Sequence, residues 1–136
     1  MRPSLRTLIL LWVFGILFPM AFLGKLWPDF GRVFRFAFAA GWTHILMHGL
    51  LYAVLGFLLA KGIPPSSVRS VSGLLGLSLL VGILHEGLQI LAAGAWPGWT
   101  AELLDLSVDL AGACLGLALA RWFARRRSSG PGCPPA

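Results

Sequence analysis

The sequence predicts an all-α membrane protein: four transmembrane helices in an up-down bundle, with both termini cytoplasmic. Three observations carry that expectation. The chain is 57% hydrophobic and only 12% charged over 136 residues. A soluble domain is typically about 45–50% apolar and about 25% charged, so this little charge cannot cover a water-facing surface. The apolar residues fall in four continuous runs, each near the ~20 residues that a helix needs to cross a ~30 Å hydrocarbon core. Finally, Lys and Arg are concentrated in alternate connections between those runs, the pattern that orients membrane helices.

The first run covers residues 5–24 and follows Arg2 and Arg6. Its apolar core is long for a signal peptide and no small-residue cleavage site follows, so a retained span is expected. The second run covers 42–60, the third 71–93 and the fourth 103–123. None alternates polar with apolar residues, which argues against the strands of a barrel. Arg2, Arg6, Lys61, Arg69, Arg121 and Arg125 to Arg127 fall on one side of a four-span chain, against Lys25, Arg32 and Arg35 on the other. The richer side is cytoplasmic by the positive-inside rule. Residues 1–124 thus form one membrane domain. Residues 125–136 are basic and then Ser/Gly/Pro-rich, a composition expected to stay disordered.

The outer connections carry aromatic residues. Residues 25–41 include FGRVFRFAF, expected as a partly helical segment at the headgroup boundary. In GAWPGWTAE, Trp96 and Trp99 flank Pro97 and Gly98 and read as interfacial anchors at a tight turn. A net charge of +6 in a soluble protein would raise the question of nucleic acid. Here the charges flank apolar runs and no basic–aromatic surface motif accompanies them, so the expected partner is membrane lipid and not nucleic acid. Cys114 lies in an apolar run and Cys133 in the tail. They form no disulfide framework, and Cys114 reads as a small packing residue.

Placing polar residues by depth, at ~1.5 Å per residue, gives the main functional signal. His44, His48 and Tyr52 recur every four residues at the start of the second run and share one helix face. His85, Glu86 and Gln89 occupy the outer half of the third. Glu102, Asp105 and Asp109 lie in the first turns of the fourth. All fall in the outer half of the bilayer. Carboxylates facing lipid would each cost about 2.5–3.5 kcal/mol or more near the centre, so they are expected to face one another across an outward-opening pocket.

Several chemistries fit such a set. Polar residues can serve only to hold membrane helices together, which would make the chain an accessory or structural subunit of a membrane complex. His85-Glu86-x-x-Gln89 resembles H-E-x-x-H with glutamine in the last place, which breaks that zinc motif. A metal assembled across helices would draw on His48, His85, Glu86, Asp105 or Asp109, although no metal or other cofactor is expected from the sequence. Ser107 lies near Asp105 and Asp109 without any oxyanion-hole signal, so no catalytic residue is assigned. A pocket of acids and amides under a tryptophan rim suits an amine, hydroxyl or sugar, as in a lipid headgroup or an envelope precursor.

His48-x-x-x-Tyr52 followed by Leu55-Gly56, then Glu86-x-x-Gln89, then Asp105-x-x-x-Asp109-x-x-Gly112-x-x-x-Gly116 resembles the VanZ-like family over residues 44–120. The family pattern has Asn where Asp109 stands. It often has basic residues where Ile45 and Trp99 stand, so this pocket is the more acidic. The resemblance implies a multi-pass protein of the bacterial cytoplasmic membrane. It also implies a role at the cell envelope of the kind associated with low-level resistance to the glycopeptide antibiotic teicoplanin. It designates His48, Tyr52, Glu86, Gln89, Asp105 and Asp109 as the functional set, to which the depth reading adds His85, and it transfers no reaction.

Overall fold

The computed structural model describes residues 3–18, 20–37, 41–63 and 65–128. Among them are six helices and no strand: α1 (Leu5–Leu17), α2 (Met20–Leu26), α3 (Pro28–Ala37), α4 (Gly41–Gly62), α5 (Val68–Ala93) and α6 (Trp99–Ser128). Three of them, α4, α5 and α6, are long and apolar enough to cross a membrane. Their 22, 26 and 30 residues rise about 33, 39 and 45 Å. Only 39%, 33% and 33% of their apolar windows are buried inside the protein. Leu50, Leu80, Leu84, Leu104 and Leu115 stand about half exposed. Burying a leucine is worth about 1.5–3 kcal/mol relative to water, so these faces call for an apolar cover.

The first apolar run departs from expectation. It is not one helix over residues 5–24: α1 stops at Leu17, Phe18 is extended (φ −74, ψ 116) and α2 starts at Met20. The sequence places Pro19 after Phe18, and a residue before proline is pushed out of the α region. The 13 residues of α1 rise only about 20 Å, too little to span alone. Even so, α1 lies along α4 and α5, and the Trp12 indole N–H donates to the Leu51 carbonyl at 2.9 Å. Ile9 sits against Gly62 at the end of α4. Lys25, in the last turn of α2, donates to the Ala92 carbonyl in the last turn of α5, where helix carbonyls lack intrahelical partners.

Residues 25–41 do contain a helix. In α3, Pro28 takes the first position, where its missing N–H is not needed. Asp29 in the first turn and Arg35 in the last suit the helix dipole, and Asp29 pairs with Arg32. The helix folds back on α2 where Gly24 meets Gly31, and a Cβ on Gly31 would stand 2.7 Å from the Gly24 carbonyl oxygen.

Helices adjacent in sequence do not make the main contact, as a simple up-down bundle would have it. α4 packs chiefly on α6, and the two run parallel. A Cβ on Gly112 would overlap the Gly49 carbonyl, one on Gly56 the Ala113 carbonyl, and one on Gly116 the Ala53 carbonyl. Small residues on both helices thus bring the backbones into contact. The Gly112-x-x-x-Gly116 stripe is the α6 half of this seam. Tyr52, Leu55, Leu59, Leu74, Val81 and Leu117 form the core around it, with Ile16 from α1.

The helix ends divide the bundle. At one end, α4 and α6 begin and α5 finishes; this is the rim end. Gly94 closes α5 at φ 70 with its N–H on the Ile90 carbonyl, and Gly98 has φ 101. Both conformations favour glycine. Trp96 and Trp99 meet edge to face there at 5.1 Å. At the opposite, basic end, Ser67 and Ser70 form a reciprocal capping box on α5. The Arg121 guanidinium donates to the Pro65 carbonyl at 2.8 Å. α6 continues through Ser128, so Arg125 to Arg127 are helical and not part of a disordered tail. The rest of that tail, with Cys133, lies outside the described residues. Cys114 is exposed on α6 and not packed inside the chain.

Candidate functional site

The parallel α4–α6 seam sets the site. His44 meets Asp105 and His48 meets Asp109, both pairs 61 positions apart in sequence. A constant offset is what two parallel helices in register produce. His48 Nδ1 lies 2.9 Å from Asp109 Oδ1 and 3.7 Å from Glu86 Oε1. His44 Nε2 lies 3.3 Å from Asp105 Oδ2. α5 closes the third side: the His85 ring stacks on His48, centroids 5.3 Å apart and planes within 6°. His44 lies on the other side of that ring system, 4.4 Å from His48.

Tyr52 is fully buried, and Asp109, His48, Glu86, His85 and, at the rim, Glu102 are buried as well. Asp105 and His44 are part-buried. The Gln89 amide donates to His85 Nε2 at 2.8 Å, which leaves the ring proton on Nδ1. That His85 Nδ1 has no hydrogen-bond partner, nor does Glu86 Oε1, while the Tyr52 hydroxyl faces the Asp109 carboxylate. A buried polar atom left unsatisfied costs about 1–3 kcal/mol, so two in one cluster are a concentrated local cost. Gly82 keeps the space beside Tyr52 and Asp109 open, since a Cβ there would stand 3.1 Å from Asp109 Oδ2 and 3.6 Å from Tyr52 Oη.

Above the cluster a cavity of ≈ 360 Å³ opens at the rim, lined by His44, Glu86, Gln89, Glu102 and Asp105 beneath Trp96 and Pro97. Its described lining holds no Lys or Arg. Glu86 belongs to both the cavity and the buried cluster, so the two form one continuous polar site.

All seven sequence-designated pocket residues therefore lie in one place, in two tiers. His48, Tyr52, Glu86 and Asp109 form the deep tier, His85 bridges to Gln89, and Asp105 reaches outward to His44. The sequence reading put His44 on the face of His48 and Glu102 at the depth of Asp105 without counting either in the pocket. Their signal was spacing: His44 is one turn before His48, and Glu102 is three residues before Asp105. Two triads have donor atoms within 4.8 Å of one another: His48, Glu86 and Asp109, and His44, His48 and Asp105. His85 is in neither, and Gln89 engages its Nε2. Ser107 is exposed, and its hydroxyl donates to the Leu103 carbonyl at 2.6 Å, so it takes no part.

Fold and site together define an all-helical protein with three helices of membrane-crossing length and composition around a buried His/carboxylate cluster. Compared with models of protein families, with curated proteins and with solved structures, the chain matches none.

Proposed function

We propose that this chain is a VanZ-like multi-pass protein of the bacterial cytoplasmic membrane whose rim-end site faces outward and binds or acts on cell-envelope material, foremost an amine-bearing lipid headgroup. The observation that carries the reading is the acidic cavity under Trp96 and Pro97 that shares Glu86 with the buried cluster. Glu86, Glu102 and Asp105 line it with His44 and with no Lys or Arg, a surface that attracts a primary amine and repels an isolated phosphate. Lys25 stands at the same end, held by the Ala92 carbonyl, where a headgroup's phosphate would lie. The residues that carry the family resemblance converge on this site, which supports it further.

Four crossings are supported by the course of α1 and α2. Ile9 lies beside Gly62 at the basic end and Lys25 reaches Ala92 at the rim end, so the broken first segment covers the length of the bundle. Lys61, Arg121 and Arg125 line the basic end, which the positive-inside rule assigns to the cytoplasm. The accessory-subunit reading needs the polar residues for helix packing, yet the α4–α6 seam closes through glycine.

The test is reconstitution in nanodiscs of mixed phosphatidylethanolamine and phosphatidylglycerol, followed by quantification of protein-retained lipid by native mass spectrometry. Wild type is expected to enrich phosphatidylethanolamine, and E102Q/D105N to lose about tenfold of that preference, as expected for a charged contact worth about 1.4 kcal/mol. Equal retention of both lipids by wild type would refute the headgroup reading.

A further inference from the structure

The deep tier has a chemistry of its own, independent of any headgroup. We propose that His48, Glu86 and Asp109 form a binding site for one divalent first-row transition-metal cation, with zinc the first candidate. One donor atom from each residue lies within 4.8 Å of the others. Metal–ligand bonds of about 2.0–2.2 Å in tetrahedral array hold ligand atoms about 3.4 Å apart. The observed separations from His48 Nδ1, 2.9 Å to Asp109 and 3.7 Å to Glu86, bracket that value. The third edge, between the two carboxylates, is no longer than 4.8 Å.

The second line of argument is polar satisfaction. Glu86 is 5% exposed and Asp109 2%, and Glu86 Oε1, the oxygen that faces His48, has no hydrogen-bond partner. A single Nδ1 proton on His48 cannot serve both carboxylates. One divalent cation takes the imidazole nitrogen and an oxygen from each acid, and its charge equals that of the two carboxylates. On loading, a neutral His48 ring moves its proton from Nδ1 to Nε2, whereas an imidazolium keeps its Nε2 proton and releases the one on Nδ1 to water. Three protein ligands leave a fourth position for water. One imidazole with two carboxylates favours zinc, manganese or iron over the all-oxygen set that magnesium and calcium prefer.

The test uses the full chain in detergent, stripped with chelator and titrated with Zn²⁺, Mn²⁺, Mg²⁺ or Ca²⁺, with bound metal counted by mass spectrometry and Co²⁺ absorption as a report of ligand field. Wild type is expected to bind one transition-metal ion per chain, unaffected by excess Mg²⁺ or Ca²⁺. H48Q, E86Q and D109N are each expected to weaken binding at least tenfold, and D29N on α3 not at all. Circular dichroism identifies any variant that has failed to fold. In that event the wild-type count and its Co²⁺ spectrum decide alone. Substoichiometric binding by wild type overturns the proposal. So does binding that survives E86Q and D109N but is abolished by D105N, which would move the ion to the outer triad.

Discussion

Replacing His48 and Asp109 by alanine, singly and together, measures the contact on which the deep tier depends. The two side chains meet at 2.9 Å and are 5% and 2% exposed. At that separation and an effective dielectric of about 20, two unit charges attract by about 6 kcal/mol. Most of that gross figure is offset by the desolvation of both groups. Hydrogen bonds between membrane helices average about 0.6 kcal/mol and reach about 1.7, because the membrane-inserted unfolded chain also finds partners. Full burial and charge assistance place this pair at the upper end, so a coupling energy of about 1–2 kcal/mol is expected. Each single variant should lose more than the coupling, since it strands the other partner in a buried site. The assay is unfolding in mixed micelles under increasing SDS, with chelator present so that no ion bridges the pair. Additivity within about 0.3 kcal/mol would refute the facing of His48 and Asp109 and, with it, the two-tier site.

Two further predictions test the frame that holds the site. G116A should destabilise the fold by about 1–3 kcal/mol, the range for overpacking, because the added methyl meets the Ala53 carbonyl and stands 2.7 Å from the Phe57 nitrogen. G87A, with nothing within 4 Å, should be neutral or slightly stabilising by helix propensity; the same SDS unfolding ranks them, and equal effects would contradict the seam. In a background with both cysteines changed to serine, A95C should react with an impermeant maleimide added to intact spheroplasts and S66C should not. Labelling of S66C instead would reverse the orientation.

The three long helices were legible because hydropathy and length act locally. The expected runs 42–60, 71–93 and 103–123 sit inside α4, α5 and α6, whose ends extend past them by a few residues. The first run misled for a physical reason. Continuous apolarity says nothing about backbone conformation, and a proline following Phe18 pushes that residue out of the α region without interrupting the hydrophobic pattern. The seam was half legible. Gly112 and Gly116 announce a close contact, but Gly49, Ala53 and Gly56 make an equal stripe on α4, and only tertiary packing shows that the two stripes meet. Depth alone put the histidines and acids at one level. It could not assign partners, which depend on how each helix is rotated about its axis. His85, an expected metal candidate, illustrates this: its rotation turns Nε2 to Gln89 one turn along the same helix, and Asp109 takes its place beside His48 and Glu86.

Whether these polar residues exist for packing or for a ligand can be argued from where the favourable contacts are made. A structural polar network is stabilising when its members satisfy one another, and a partly satisfied one is worse than an apolar core. Here the helices that touch most closely, α4 and α6, do so through backbone contact at glycine and alanine, a contact that small apolar residues supply unaided. The polar cluster beside it leaves His85 Nδ1 and Glu86 Oε1 buried without partners, at about 1–3 kcal/mol each. A leucine or phenylalanine in place of Glu86 would avoid that cost and pack as well. Sequences depart from the locally stable choice where a site needs the departure. The unsatisfied atoms lie on neighbouring residues of α5, beneath the cavity at the rim end, while Ser78 in the same helix satisfies its hydroxyl on the Leu74 carbonyl. That confinement is the observation on which the proposed ligand site rests.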